Sequence, residues 1–284
     1  MLEGNLKLSV KLDARVTALT LGVDVEGIVR QWCNLAQPGP DSVRRTLDSA
    51  GSSMDREYTH AWSPALGHEM ELLRFGHAGQ PVVVFPTSMG RFYQWEDFGM
   101  IGFLSSRLAA GRLSLWCLDS VDGESWYAEG RPPEERIERH LAYERYVLDE
   151  VLPDLPEPPL LVGTSFGAFH AVLLCLRHPG RFRGWIGLSG VYDNSRFLDG
   201  YHSSESYFTN PLAFIPGLTD ERYLMPLQAM ERKVLASGTD DPNVKDSVTL
   251  ADELKAKEVE VRLDLWPGWQ HDWPYWYRML DQYL

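Results

Sequence analysis

Leu160-Leu-Val-Gly-Thr-Ser-Phe-Gly-Ala168 is the stretch on which the architecture turns. Three apolar residues lead into Gly163-Thr-Ser-Phe-Gly167, a G-x-S-x-G pattern. Ala168–Arg177 leads out as an almost wholly apolar helical run that stops at His178-Pro-Gly180. The five-residue pattern alone is weak. A strand before it and a helix behind it make it a strand–turn–helix corner, the setting that a nucleophilic serine needs. The turn is tight, so the residues flanking the serine must be small. Gly163 and Gly167 meet that demand, and Ala168 lets the helix pack close to the sheet. Ser165 then projects above the sheet, and the helix start beneath it offers unpaired N–H groups and the positive end of a dipole. A plain strand-to-helix turn is the competing reading, and the setting favours the nucleophile.

Outward from this corner the chain alternates strand and helix signals. Arg56–Trp62 and Met70–Phe75 suggest an antiparallel opening pair. Val82-Val-Val-Phe85 lies between Pro81 and Pro86 and reads as a strand buried on both faces, and Leu113–Leu118 is another. Pro132–Val151 carries apolar residues near helical spacing behind an acidic start at Glu134 and Glu135. After the corner helix come a strand at Trp185–Leu188, a strand at Lys233–Ala236, a helix from about Asp246 to Lys257, a strand at Val259–Leu265 and a helix from near Pro274. The alternation predicts an α/β fold with a mostly parallel central sheet and helices on both faces. Residues 192–232 interrupt the rhythm with Phe197, Tyr201, Tyr207, Phe208, Phe214 and Tyr223. The segment is too long for a simple connection, and reads either as a cap over a site or as a surface excursion packing its own aromatics.

Residues 1–53 differ from the rest. Leu6, Leu8, Val10, Leu12, Ala14 and Val16 alternate with mostly polar residues, and then Gln37-Pro-Gly-Pro40 and Ser49-Ala-Gly-Ser-Ser53 break the pattern. Either this is an extension that packs on the domain, or the natural protein begins at Met54. The second is the expectation, because the alternation has no evident partner strand. Residues 54–284 are expected to form the catalytic domain.

The 284 residues carry a net charge of −13, from 27 Lys and Arg against 40 Asp and Glu. That argues against a nucleic-acid partner, whose phosphates need basic patches. No apolar run approaches the length of a membrane span, and no basic stretch followed by an apolar one marks a signal peptide, so the expected location is the cytoplasm. Cys33, Cys117 and Cys175 have no metal-ligand spacing, and the last two lie in apolar runs as small core residues.

A serine hydroxyl needs a base within hydrogen-bond reach. On a corner of this kind the acid and the base follow the serine in chain order. Four histidines do so: His170, His178, His202 and His271. The first two lie on or just past the corner helix, directed away from the serine's tip. His202 lies in the aromatic insert, ahead of any acid on the next strand. His271 follows the last strand, in Trp266-Pro-Gly-Trp-Gln-His-Asp272, where a base belongs. The acid should end the preceding strand, and Asp240 and Asp241 of Lys233-Val-Leu-Ala-Ser-Gly-Thr-Asp-Asp241 both qualify. An oxyanion hole needs two N–H groups, one from Phe166 and one from the loop Pro86-Thr-Ser-Met-Gly90. Ser88 is the choice for the second donor and Met89 the alternative.

Taken together, Phe85-Pro-Thr-Ser-Met-Gly-Arg-Phe-Tyr93, Gly163-Thr-Ser-Phe-Gly167, Ser237-Gly-Thr-Asp-Asp241 and His271-Asp-Trp-Pro-Tyr-Trp276 resemble a family of bacterial serine esterases. These are α/β-hydrolases that include esterase D-like formylglutathione hydrolases and mycobacterial mycolyltransferases. The resemblance runs from Met54 to the C-terminus. It implies the α/β-hydrolase fold, a Ser165–Asp241–His271 triad, and ester hydrolysis through an acyl-enzyme with no metal or organic cofactor. The Gly-x-x-Asp pattern of the family, met by Gly238 and Asp241, implies Asp241 as the acid. The expected partner is a small-molecule ester, and the expected activity that of a carboxylesterase. An acyltransferase on the same scaffold and a non-catalytic hydrolase-like binding protein are the rival expectations.

Overall fold

Short runs of β-branched and leucine residues bounded by proline or glycine form the centre of the sheet. The computed structural model describes residues 55–284, so the expectation for residues 1–53 lies outside the described residues. The strands are β1 (Arg56–Ser63), β2 (His68–Phe75), β3 (Gln80–Phe85), β4 (Leu113–Leu118), β5 (Leu160–Thr164), β6 (Gly184–Leu188), β7 (Arg232–Gly238) and β8 (Arg262–Trp266). Among the described residues they make one sheet, in the order β1-β2-β4-β3-β5-β6-β7-β8. β1 pairs β2 and β2 pairs β4 antiparallel, and all later pairs are parallel. β4, β5 and β6 are buried along their whole length, as strands covered on both faces must be.

Alternate residues of β2 to β7 supply two apolar layers. Val83, Phe85 and Leu161 face one side with α1 (Pro133–Arg145), α2 (Phe166–Arg177) and α4 (Val244–Ala256). Phe214, Ile215, Leu227 and Met230, from the segment between β6 and β7 that includes α3 (Glu221–Ala229), join the same layer. Val82, Val84 and Val162 face the other side, against α5 (Trp273–Tyr283) and Trp95, Met100, Ile101, Leu104 and Leu108. Cys117 and Cys175 are buried, as their apolar settings predict.

Helix starts follow from local chemistry. α1 opens with Pro133 and two glutamates, which suit a first turn whose N–H groups are unpaired. α5 opens at Asp272, whose carboxylate accepts from Trp273 N at 2.7 Å. Two boundaries differ from the sequence reading. The last strand begins at Arg262, while Val259 turns inward, fully buried. Between β3 and β4 the chain makes three short helical turns, Gln94–Asp97, Met100–Phe103 and Ser105–Ala109. Gly99 at φ 80° and Gly111 at φ 61° punctuate that stretch and break up the helical period.

The sheet order reverses between β3 and β5. Their C-terminal ends lie side by side, Phe85 opposite Gly163. A switch point of this kind opens a crevice beyond the strand ends, the usual place for a site in an open α/β sheet. Among the described residues no helix is long and apolar enough to cross a membrane.

Candidate active site

Ser165 stands at that crevice, between the end of β5 and the start of α2, with φ 56° and ψ −123°. Its N–H donates to Leu188 O of β6 at 2.8 Å, which ties the corner to the neighbouring strand. The flanking glycines are required by close approach. A Cβ on Gly163 would lie 2.1 Å from the Gly167 backbone, and one on Gly167 would lie 2.4 Å from Phe85 O. The serine side of the corner is therefore pressed against both α2 and the end of β3.

His271 Nε2 lies 2.9 Å from Ser165 Oγ, and His271 Nδ1 lies 2.9 Å from Asp241 Oδ2. A carboxylate only accepts, so the ring proton is on Nδ1 and Nε2 accepts from the serine hydroxyl. Asp241 is buried and its other oxygen accepts from Asn243 N at 2.8 Å. Asn243 in turn donates to Ser189 O at 3.1 Å, and Ser189 Oγ accepts from Trp276 Nε1 at 2.9 Å. The edge of Trp276 meets the His271 ring at 5.0 Å, so α5 braces the imidazole. The acid turn and the base loop are locked together. A Cβ on Gly238 would fall 1.9 Å from Trp269 O, and Asp240 N donates to that same carbonyl at 3.1 Å. Asp240 is exposed and its carboxylate accepts from Thr239 Oγ1 at 3.2 Å, away from His271. The structure thus brings Ser165, Asp241 and His271 together, and leaves Asp240 aside. His178 and exposed His202 are elsewhere: His178 reaches Glu144 Oε2 at 3.1 Å.

The loop after β3 presents three consecutive N–H groups. Thr87 N donates to Gln94 Oε1 at 2.8 Å, and Met89 N donates to Asp122 Oδ2 at 3.0 Å. Ser88 N has no protein partner among the described residues, and neither has Phe166 N. Ser88 follows β3 and Phe166 follows β5, the two strands whose ends meet at the switch point. Of the two expected second donors, the N–H of Met89 is occupied and that of Ser88 is free.

No family model matches the chain, and no curated protein matches it in sequence. Its fold nevertheless recurs among solved structures. A ferulic acid esterase superposes with a TM-score of 0.65 at 14% identity, over 80% of this chain and 95% of that one. The apoenzyme of S-formylglutathione hydrolase from Staphylococcus aureus gives 0.61 at 16% identity, over 83% and 97%. A ferulic acid esterase from the anaerobic fungus Anaeromyces mucronatus gives 0.62 at 13% identity, over 86% and 94%. The chain has the α/β-hydrolase fold. The eight-stranded, mostly parallel sheet is the core of that α/β-hydrolase fold.

Around this candidate site lie residues that the sequence reading passed over. His170, read there only as directed away from Ser165, lies on α2 with its Nε2 2.9 Å from Asp122 Oδ1, and both side chains are fully buried. A signal was present: His170 is a lone imidazole in a helix buried from Phe166 to Leu176, and a buried polar ring needs a partner. Gln94 and Tyr127 carried no such signal, since each acts through a contact made only in the folded chain. Tyr127 OH donates to Ser88 Oγ at 2.7 Å, and its ring packs edge-on against Phe166 at 5.3 Å. Phe197 closes on Phe166 and Tyr127 at 5.3 and 5.1 Å. Burial pushes the Cys117 and Cys175 thiols up, which makes them inert. Among the described residues no group of His, Cys, Asp and Glu is disposed to hold a metal ion.

Proposed function

We propose that the chain is a serine carboxylesterase acting on small-molecule esters through Ser165, Asp241 and His271. The observation that carries this reading is the unbroken Ser165–His271–Asp241 chain of 2.9 Å contacts ending on a buried carboxylate. In this reading His271 Nε2 takes the proton from Ser165 Oγ as the oxygen attacks the ester carbonyl. Asp241 keeps the ring in the required tautomer and stabilises the imidazolium that forms. The free N–H groups of Ser88 and Phe166 receive the oxyanion. His271 returns the proton to the leaving alcohol, and water then repeats the cycle on the acyl-enzyme. The names of the superposed structures, two ferulic acid esterases and an S-formylglutathione hydrolase, favour ester chemistry on this scaffold.

The test is hydrolysis of p-nitrophenyl esters from acetate to decanoate by wild type and Ser165→Ala. Short-chain activity is expected, falling by about 10⁴-fold or more in the variant. Activity that survives in Ser165→Ala would reject Ser165 as the nucleophile. A wild type inert toward every ester would turn the assignment to acyl transfer, read by competition with alcohol acceptors, or to a binding role.

A further inference from the structure

The turn that follows β4 does more than connect. Asp122 Oδ1 accepts from His170 Nε2 at 2.9 Å, while Asp122 Oδ2 accepts from Met89 N at 3.0 Å. One carboxylate therefore joins the helix that carries Ser165 to the loop that carries Ser88. The same turn adds a second link. Tyr127 N donates to Asp122 O at 2.9 Å, and Tyr127 OH donates to Ser88 Oγ at 2.7 Å. From the opposite flank Gln94 accepts from Thr87 N and donates to Thr87 Oγ1, each at 2.8 Å.

We propose that Asp122, seated by His170 and seconded by Tyr127, is a positioning residue that holds the 86–90 loop with the Ser88 N–H directed at the developing oxyanion. The inference rests on the reading of Ser165 as nucleophile. Three features carry it. First, the links consume the N–H groups on either side of Ser88 and leave only that of Ser88 free. Second, Met89 sits at φ 58°, a left-handed conformation that a methionine does not adopt unless its surroundings impose it, and its N–H is the one that Asp122 grips. Third, the link is rigid: both acidic and imidazole side chains are fully buried, and His170 packs against Phe85, Phe166 and Tyr143 at 5.2 to 6.0 Å. An oxyanion donor is effective only when it needs no reorganisation at the moment of reaction. A carboxylate buried at this point supplies that order. Its two oxygens are taken up by His170 and Met89 and neither bonds Ser165, so its contribution is geometric.

The inference predicts a split between turnover and binding. On p-nitrophenyl acetate, Asp122→Ala is expected to lower kcat by about 10- to 100-fold with KM within about twofold. Inhibition by a trifluoromethyl ketone, whose serine adduct carries the oxyanion, should weaken by the same factor. Asp122→Asn keeps an acceptor for the Met89 N–H and, once the His170 proton moves to Nδ1, a donor to that ring. It is expected to stay within about threefold of wild type. Phosphonylation by a fluorophosphonate gives the same comparison through kinact and KI, independent of the natural ester. Ser165→Ala is the control: if it retains wild-type turnover, the nucleophile reading falls. If Ser165→Ala is inactive while folded Asp122→Ala keeps its kcat, or shows only a raised KM, the positioning role alone is overturned. A loss in Asp122→Asn as deep as in Asp122→Ala would also overturn it. If Asp122→Ala does not fold, Tyr127→Phe replaces it, removing only the hydroxyl on Ser88. A 3- to 10-fold fall in kcat and in ketone inhibition then supports the inference, and no change in either overturns it.

Discussion

Ser165 occupies φ 56° and ψ −123°, where an L side chain is strained by about 1–3 kcal/mol. The strain is held by the Leu188 carbonyl on one side and the tight Gly163–Gly167 approach on the other. Glycine at this position would relieve it, against a backbone-entropy cost of roughly 0.5–1 kcal/mol. Ser165→Gly is therefore expected to unfold at about 1 kcal/mol higher stability than Ser165→Ala, with neither variant active. Equal stability of the two in urea titrations would mean that the corner is unstrained. At this scale much of the candidate site was legible in the chain. Ser165 and His271 follow from a corner motif, chain order and strand ends. Asp241 and Asp240 are not separable by order alone; in the fold only Asp241 reaches His271, while Asp240 turns to Thr239. Asp122 was not legible, because an aspartate after a strand has no mark until the loop it grips is folded beside it.

Lys233 is the clearest case at the level of the elements. It is the second residue of β7, at the end of that strand opposite Asp241, and its Nζ donates to Leu227 O, Gln228 O and Met230 O at 3.0, 2.9 and 3.0 Å. The last carbonyls of a helix have no partners of their own, and here one ammonium satisfies those that close α3. Burial lowers the Lys233 pKa, and the three carbonyls hold the ammonium in place. Lys233→Met, which keeps the stem, is expected to cost about 2–3 kcal/mol of stability by leaving carbonyls unsatisfied. Activity per folded molecule should be unchanged; denaturant melts beside ester assays check both, and an unaltered melt would remove the capping role. Elements with a strong period or a hard stop were readable: β3, whose apolar run ends at Pro86, and α2 up to His178-Pro-Gly180. The turns over 94–109 were not. Each is four or five residues long, too short to display a helical period, and they are ordered by burying Trp95, Met100, Ile101 and Leu108 against the sheet.

On the scale of the whole molecule, the apolar layer under α1 and α2 encloses an imidazole. His140 is buried against Trp126, Phe169 and His170, with Nε2 3.2 Å from Glu144 Oε1 and with Arg177 and His178 beyond that carboxylate. Burial lowers the His140 pKa below its ordinary value of 6.5, and this outweighs the attraction of Glu144. The unfolded chain then takes up the proton first as pH falls. Stability tied to His140 is complete above 6.5 and drains away below it, toward the lower value in the fold. The melting temperature should therefore decline between pH 7 and pH 5, and more gently in His140→Phe. Identical slopes in the two proteins would place the acid sensitivity elsewhere. The sheet order holds a different consequence. Asp241 hangs from the end of β7 and His271 follows β8, the edge pair of the parallel run, while Ser165 belongs to its middle. Asp241 and His271 share one β7–α4–β8 unit, but no such unit includes Ser165, which joins them only once β5, β6 and β7 have paired. Parallel strands distant in sequence pair late and slowly. In a refolding experiment the return of the proposed ester turnover would thus act as a stopwatch on the pairing of the central strands, starting after collapse has already altered the fluorescence of the 10 tryptophans.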